Sequence, residues 1–290
     1  MMKYVFIINP ASGKTDYSVI KDNIKRVFKN KDYEILVTKC PGEATKIASR
    51  YKDNKKVIVY SVGGDGTLNE VVNGLVYGKC KLGIIPTGSG NDFYRCLNNY
   101  QHKNKKIDLG KVNGKYFINI SSVGIDAETC NNANKIKSKF KTGAAYYLGL
   151  IHTFFHYKSK LLKIYVDGKL YVNKYMSVAV CNGKYYGGGF KIAPLASFDD
   201  NYFDVYLIEK MNRFRLIKVM VGLLKGKHES YSEVKKFRAT SVKIISDKNL
   251  IVNVDGEIMA SKILEFELVK DSLFLYNDED IVRKVMRNKA

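Results

Sequence analysis

Apolar positions along the first 118 residues switch between two spacings. A short apolar run, Tyr4 to Ile8, is followed by Tyr17 to Phe28, where Val19, Ile20, Ile24 and Val27 recur at helical intervals. The pattern repeats as a strand at Tyr33 to Thr38, a helix at Glu43 to Tyr51, the apolar strand VIVYSV (Val57 to Val62), the helix LNEVVNGLV (Leu68 to Val76) and the strand KLGIIP (Lys81 to Pro86). Strands separated by helices of this length predict right-handed βαβ units and a parallel sheet. In such a sheet ligands bind beyond the carboxyl ends of the strands.

From about residue 119 the texture changes to tyrosine-rich, β-branched segments of period two, such as KIYVDGKLYVNKYMSVAVCNG (Lys163 to Gly183), with Asp167-Gly168 as a two-residue hairpin turn. Further strands are expected at Phe203 to Ile208, Ser241 to Ser246, Leu250 to Asp255, Ile263 to Val269 and Ser272 to Tyr276, and helices at Gly143 to Tyr157 and Arg213 to Lys225. The expected organisation is therefore an α/β domain over 1–118, an antiparallel β domain over 119–276, and a C-terminal helix within 277–290 that returns to the first domain.

Composition narrows the partners. Against 28 Asp and Glu stand 49 Lys and Arg, a net charge of +21 that attracts nucleic acid, anionic membrane or phosphate-rich small molecules. The lysines are spread through the chain and no common nucleic-acid motif occurs, so nucleic acid is not expected. Five widely separated cysteines without a CxxC pair argue against a disulfide frame and a zinc site and predict a reduced, cytoplasmic protein. The N-terminus enters a strand directly, and the longest uncharged apolar run, Gly143 to Phe155, is too short for a bilayer span.

The turn IINPASGKT (Ile7 to Thr15) ends like a phosphate-binding P-loop, yet Ile8 stands where that loop needs its first glycine and Pro10 has no N–H to donate. It remains an anion site at a helix N-terminus. The stronger signal is SVGGDGTLNE (Ser61 to Glu70): three glycines in four positions at the end of a buried strand, with Asp65 among them. IPTGSGNDF (Ile85 to Phe93) repeats the design after the next strand and adds Asn91 and Asp92. Two such loops side by side form a phosphate cradle containing carboxylates, which implies a divalent metal and phosphoryl transfer. By contrast, Asp255-Gly256-Glu257 reads on its own as a hairpin turn, and His152 and His156, without a third ligand nearby, as helix-face residues.

GGDGT (Gly63 to Thr67) with Asn69 and Glu70 resembles the motif shared by diacylglycerol kinases, sphingosine kinases and NAD kinases. NPASG (Asn9 to Gly13), GSGNDF (Gly88 to Phe93), GGGFKIAPLASFDDNYFDV (Gly187 to Val205) and VDGE (Val254 to Glu257) are similar to motifs of the bacterial diacylglycerol kinase-like and YegS-like lipid kinase branch, in the expected order. The resemblance implies an N-terminal parallel-sheet α/β nucleotide-binding domain followed by an antiparallel β-sandwich domain, and an ATP-dependent, Mg²⁺-requiring kinase that converts diacylglycerol to phosphatidic acid. It implies ATP contacts from Asn9, Pro10, Ala11, Ser12, Gly13, Thr38, Gly63, Gly64, Asp65, Gly66, Thr67, Leu68, Asn69, Glu70, Gly88, Ser89, Asn91 and Asp92. It also implies catalysis by Glu257 as proton acceptor with Asp65 and Asp255, an acidic network involving Asp92 and Asp126, and a structural Mg²⁺ held largely by backbone oxygens at Ser197, Asp200 and Tyr202. Asn201 stands where the family has glycine, and asparagine tolerates the left-handed backbone that position needs. Other enzymatic readings are a kinase for another lipid alcohol or for NAD, although the NAD kinase signature is missing. A non-catalytic nucleotide sensor is the reading of a different class. Lysines flanking apolar stretches at Arg213 to Lys227 and Lys135 to Lys160 suit a peripheral anionic membrane contact as well as packing on the β domain; a homodimer is compatible with the resemblance.

Overall fold

The computed structural model describes all residues except 14–15, 98–99, 101–103, 141–151 and 288–290, together with the side chains of 134–140. The chain divides into two compact units: Met1–Leu109 with Gly187–Gly189 and Val269–Ala290, and Gly110–Tyr186 with Phe190–Leu268.

In the first unit, β1 (Lys3–Ile8), α1 (Tyr17–Val27), β2 (Asp32–Val37), α2 (Glu43–Ser49), β3 (Val57–Gly63), α3 (Asp65–Leu75), β4 (Lys81–Pro86) and α4 (Asp92–Cys96) follow in order. The strands lie side by side as β2-β1-β3-β4, each pair parallel. Every side chain of β3 is buried, as a central strand covered on both faces requires. Phe6 and Tyr60 stack at 4.9 Å with Phe28 edge-on to Phe6, and Ile20 and Ile24 of α1 close over them. The C-terminal helix α7 (Glu279–Met286) buries Ile281 and Val285 in the same cluster. Buried Asn23 of α1 fixes it by donating to the carbonyls of Val285 and Arg287 at 2.9 and 3.0 Å.

The second unit contains the end of β5 (Asn104–Val112), then β6 (Lys115–Phe117), β7 (Ile120–Gly124), α5 (Ile125–Phe140), β8 (Lys160–Val166), β9 (Lys169–Cys181), β10 (Phe203–Glu209), α6 (Arg213–Leu224), β11 (Val234–Ala239), β12 (Ser241–Val254) and most of β13 (Glu257–Tyr276). Strands β11-β10-β9-β7-β12-β13 pair antiparallel in that order, with β8 against β9 and β12. Phe117, Phe203 and Phe266 meet in its core. The β8–β9 hairpin turns at Asp167-Gly168, both left-handed at φ 44° and 82°.

Several boundaries differ from those expected. Helix α3 begins at Asp65 rather than Leu68, because extended Gly64 caps it; residues 65–67 carry no apolar period, since Asp65 and Thr67 bond to the neighbouring turns and Gly66 is exposed. Residues 269–276, expected with the second domain, belong to the first unit, where Phe274 and Leu275 pair parallel with β4. They continue β13 without a break, the chain passing through left-handed Asp271, whose N–H is taken by Asp108 Oδ1 at 2.9 Å. The hairpin of β5 and β6 and the helix α5 were not expected; left-handed Asn113-Gly114 is the turn signal for the hairpin. Of the helix expected over Gly143 to Tyr157, residues 141–151 lie outside the described ones and 152–156 are helical.

Candidate active site

In the first unit three turns converge beyond the carboxyl ends of β1, β3 and β4. Asn9 ties the first to the second: its Nδ2 donates to Thr67 Oγ1 at 3.0 Å, and its Oδ1 accepts the N–H of Ala11 at 3.0 Å. The carbonyl of Gly63 accepts the N–H groups of Thr87 and Gly88, which brings the second and third turns into backbone contact. A Cβ on Gly88 would lie 2.3 Å from Gly64 Cα, so no larger residue fits without moving the backbone. Gly88→Ala is therefore expected to destabilise the first unit by about 1–3 kcal/mol and to weaken ATP binding, read by thermal melts with and without ATP; an unchanged melt and ATP titration would refute the contact. Lys14 and Thr15, the P-loop-like ending, lie outside the described residues.

Asp65 occupies the first turn of α3, where the helix dipole favours a negative charge. Its Oδ1 accepts the N–H groups of Asp92 at 2.7 Å and Phe93 at 3.4 Å, so the second and third turns share one carboxylate. Burial raises the Asp65 pKa above the usual carboxylate range, against these amide contacts. Asp92 is more buried still. Its Oδ2 accepts from Gly188 N at 2.8 Å, whereas its Oδ1 is shielded from solvent without a hydrogen bond, 3.8 Å from Arg95 Nε. Burial pushes the Asp92 carboxyl up to about 6; the Gly188 amide opposes this, and the neighbouring Asp65 charge adds to it.

A folded pKa above the unfolded one means that folding favours the protonated form. The contribution is complete below about pH 4 and is lost as pH rises through about 6. Metal-free protein in EDTA is thus expected to lose stability across this window, and Asp92→Asn to be more stable than wild type at pH 7.5 by on the order of 3 kcal/mol. Urea unfolding of both proteins at pH 4.5 and 7.5 measures it; parallel pH profiles would contradict it.

Beside these turns lies a cleft of about 200 Å³, and six of the residues expected to contact ATP line it: Asn9, Pro10, Ala11, Thr38, Thr67 and Glu70. Thr38 is anchored by Ile8 O, and Glu70 Oε2 accepts the N–H of Ala44 at 3.1 Å. Ser12 and Gly66 sit in the same turns and Ser89 is exposed at the third, while Leu68 and Asn69 are buried in α3, with Asn69 bonded to Asn73. Asn91 is the left-handed residue preceding α4, and its Nδ2 donates to Gly88 O. Sequence reasoning missed Gly188 as a partner of Asp92; the three consecutive glycines 187–189, all with positive φ, are the signal that could have found it.

In the second unit the β12–β13 turn carries Asp255 and Glu257. Asp255, left-handed at φ 48°, accepts three amides with its carboxylate: Ile118 at 2.7 Å, Asn119 at 3.1 Å and Ile120 at 2.8 Å. Both oxygens hold backbone, and the residue thereby fixes the turn that carries Glu257. Glu257 is half-exposed, its Oε2 paired with Lys115 Nζ at 3.3 Å. Asp126, at the start of α5, accepts from Ser177 Oγ at 2.7 Å, and its Oδ2 is shielded without a hydrogen bond; burial raises its pKa. Asp126 and Ser177, with Thr129, Tyr186 and His228, are the polar residues in the wall of a cavity of about 70 Å³ that is otherwise lined by apolar side chains such as Met176, Ile208, Leu216 and Val219.

Two metal positions can be tested against these donors. Asp65 and Asp92 supply hard carboxylate oxygens, one of them buried and unsatisfied, and this set fits a divalent cation. At Ser197, Asp200 and Tyr202 the turn keeps the left-handed residue at Asn201, φ 65°, but Asp200 is already engaged: Oδ1 accepts Tyr202 N and Oδ2 is ion-paired with Arg238, whose guanidinium covers the Tyr202 ring. The Asp200 carboxylate is thus already occupied, the expected ligands at this turn are largely backbone oxygens, and no step is assigned to a metal there.

Two family models account for nearly the whole chain. The diacylglycerol kinase catalytic domain matches residues 3–115, and the YegS C-terminal NAD kinase beta sandwich-like domain matches residues 119–276. The chain belongs to the bacterial diacylglycerol kinase and YegS-like family, and it is a lipid kinase with ATP as co-substrate. It is 32% identical over 276 residues to the diacylglycerol kinase of Bacillus subtilis strain 168, covering 89% of this chain and 90% of that protein. It is 30% identical over 301 residues to the diacylglycerol kinase of Staphylococcus aureus strain MRSA252, covering 97% and 94%. The crystal structure of a Bacillus anthracis str. Sterne protein assigned to the diacylglycerol kinases superimposes with a TM-score of 0.75 at 27% identity, over 96% of this chain and 98% of that one. Among the described residues no helix is long and apolar enough to cross a membrane.

Proposed function

We propose that this chain transfers the γ-phosphoryl group of ATP to the free hydroxyl of 1,2-diacylglycerol, giving phosphatidic acid and ADP. The observation that carries the reading is Asp65, pinned by the Asp92 and Phe93 amides inside a wall of closely packed backbone turns. The turns Asn9–Gly13, Gly63–Asn69 and Gly88–Asp92 bind the phosphates through backbone N–H groups. The cleft at Thr38 and Glu70 takes the nucleoside. Asp65 and Asp92 would hold Mg²⁺, which when bound neutralises charge on the transferring phosphoryl group.

Glu257 accepts the proton of the attacking hydroxyl. The hydroxyl oxygen forms the new P–O bond, the bond from the γ-phosphorus to the bridging oxygen breaks, and ADP leaves with that electron pair. Asp255 is a positioning residue that holds the turn bearing Glu257. The cavity lined by Asp126, Ser177, Leu216 and Val219, at about 70 Å³, has room for only a small part of a diglyceride, and it would take the part nearest the glycerol. We place the protein in the cytoplasm with peripheral access to anionic membrane.

The test is transfer from radiolabelled ATP to a lipid panel in mixed micelles with Mg²⁺, with Glu257→Ala and Asp65→Ala in parallel. Labelled phosphatidic acid from wild type alone is expected. Labelled product from a sphingoid base instead would replace the substrate, and ATP binding with no labelled lipid would favour a nucleotide sensor.

A further inference from the structure

We propose that α6 is a membrane-docking helix whose outer face seats among the head groups of an anionic bilayer. The choice of a bilayer as partner rests on the lipid-kinase reading; the surface itself rests on the helix. Phe214, Ile217, Val221 and Leu224 follow at intervals of three, four and three, which places them on one side of the helix. That side faces solvent: Phe214 is 82% exposed, Leu224 63%, Ile217 47% and Val221 44%. The opposite side is apolar as well, with Leu216, Val219, Met220 and Leu223 lining the cavity whose wall also holds Asp126 and Ser177. A helix that only packs on a β-sheet needs one apolar stripe, and its outer face is ordinarily polar. Here the outer stripe is a second one, beyond what packing explains.

Charge selects the occupant. Lys218 and Lys225 are exposed and lie four residues after Phe214 and Val221, hence beside the stripe, and no Asp or Glu occurs from Arg213 to Lys227. At the helix start the Arg213 guanidinium donates to the carbonyls of Phe154 and Phe155 at 3.2 and 2.6 Å and lies 5.7 Å from the Phe155 ring. Phe155, 57% exposed, thereby extends the apolar patch. Large apolar side chains interleaved with lysine, in a chain of net charge +21, match lipid acyl chains below and phosphates above.

Flotation of the full-length protein with vesicles of phosphatidylcholine, or of phosphatidylcholine with phosphatidylglycerol, tests this. Wild type is expected to bind the anionic vesicles, less so as salt rises. Phe214→Gln with Leu224→Gln, and separately Lys218→Glu with Lys225→Glu, are each expected to weaken that binding at least about tenfold, with unchanged melting temperature and wild-type phosphorylation of a short-chain diacylglycerol dissolved in water. Wild-type binding by both double variants overturns the proposal. So does a dimer in sedimentation velocity that the glutamine pair converts to monomer while vesicle binding persists. Vesicle binding lost in the variants, with no lipid phosphorylated by any of the proteins, would leave docking standing and remove the kinase reading.

Discussion

Glu257→Gln is expected to lower kcat by about 10²–10⁴-fold, the range for a positioned general base, with ATP affinity and melting temperature close to wild type. Glutamine keeps the shape of the side chain and an oxygen for Lys115, so the β12–β13 hairpin loses no buried contact. What it loses is the capacity to take the hydroxyl proton as the new P–O bond forms. The exposed pair with Lys115 contributes little stability of its own. A structural role would therefore show in the melt and a chemical one in kcat. Steady-state kinetics with saturating ATP and varied diacylglycerol decide it: retention of more than about a tenth of wild-type kcat would remove Glu257 from the proton-transfer step.

Asp65→Asn is expected to reduce kcat/KM for ATP by about 10²–10³-fold, the range for removing one preorganised electrostatic group, and to raise the Mg²⁺ concentration needed for half-maximal rate. The amide oxygen of asparagine can still accept the Asp92 and Phe93 N–H groups, so the turns stay joined. The charge disappears, and with it the cost of keeping a buried carboxylate ionised above its raised pKa. The variant should accordingly melt no lower than wild type in EDTA while being far less active. Asp65→Ala differs: it leaves two amides without their acceptor and should be destabilised, each orphaned donor costing about 1–3 kcal/mol. Equal melting of the two variants would show that the carboxylate does not join the turns.

The two results would come from residues that differ in how far the sequence betrays them. Gly63 to Thr67 is legible because its chemistry is backbone chemistry: glycines at the end of an apolar strand announce a close approach whatever lies opposite. The hairpins at Asp167-Gly168 and Asp255-Gly256 are legible for a similar reason, since left-handed residues and two-residue turns are local. The helix α5 was hidden because its polar sequence carries no clear apolar stripe. The unbroken β13 was hidden because Lys270-Asp271 reads as a turn until Asp108 is seen to take the Asp271 N–H.

Residue type and spacing alone were enough for the alternation of strands and helices in the first 118 residues, the antiparallel strands of the second unit, and the glycine turns with their acidic residues. Each of these depends on spacing and residue type within a few positions. Folding in three dimensions was needed to bring Asp65 to a turn 27 residues away, Gly188 to Asp92, Asp255 to three amides and Asp200 to an arginine, and to leave an apolar stripe of α6 facing solvent. These are pairings between distant segments. Their energies depend on which groups lose water together, and sequence separation does not encode that.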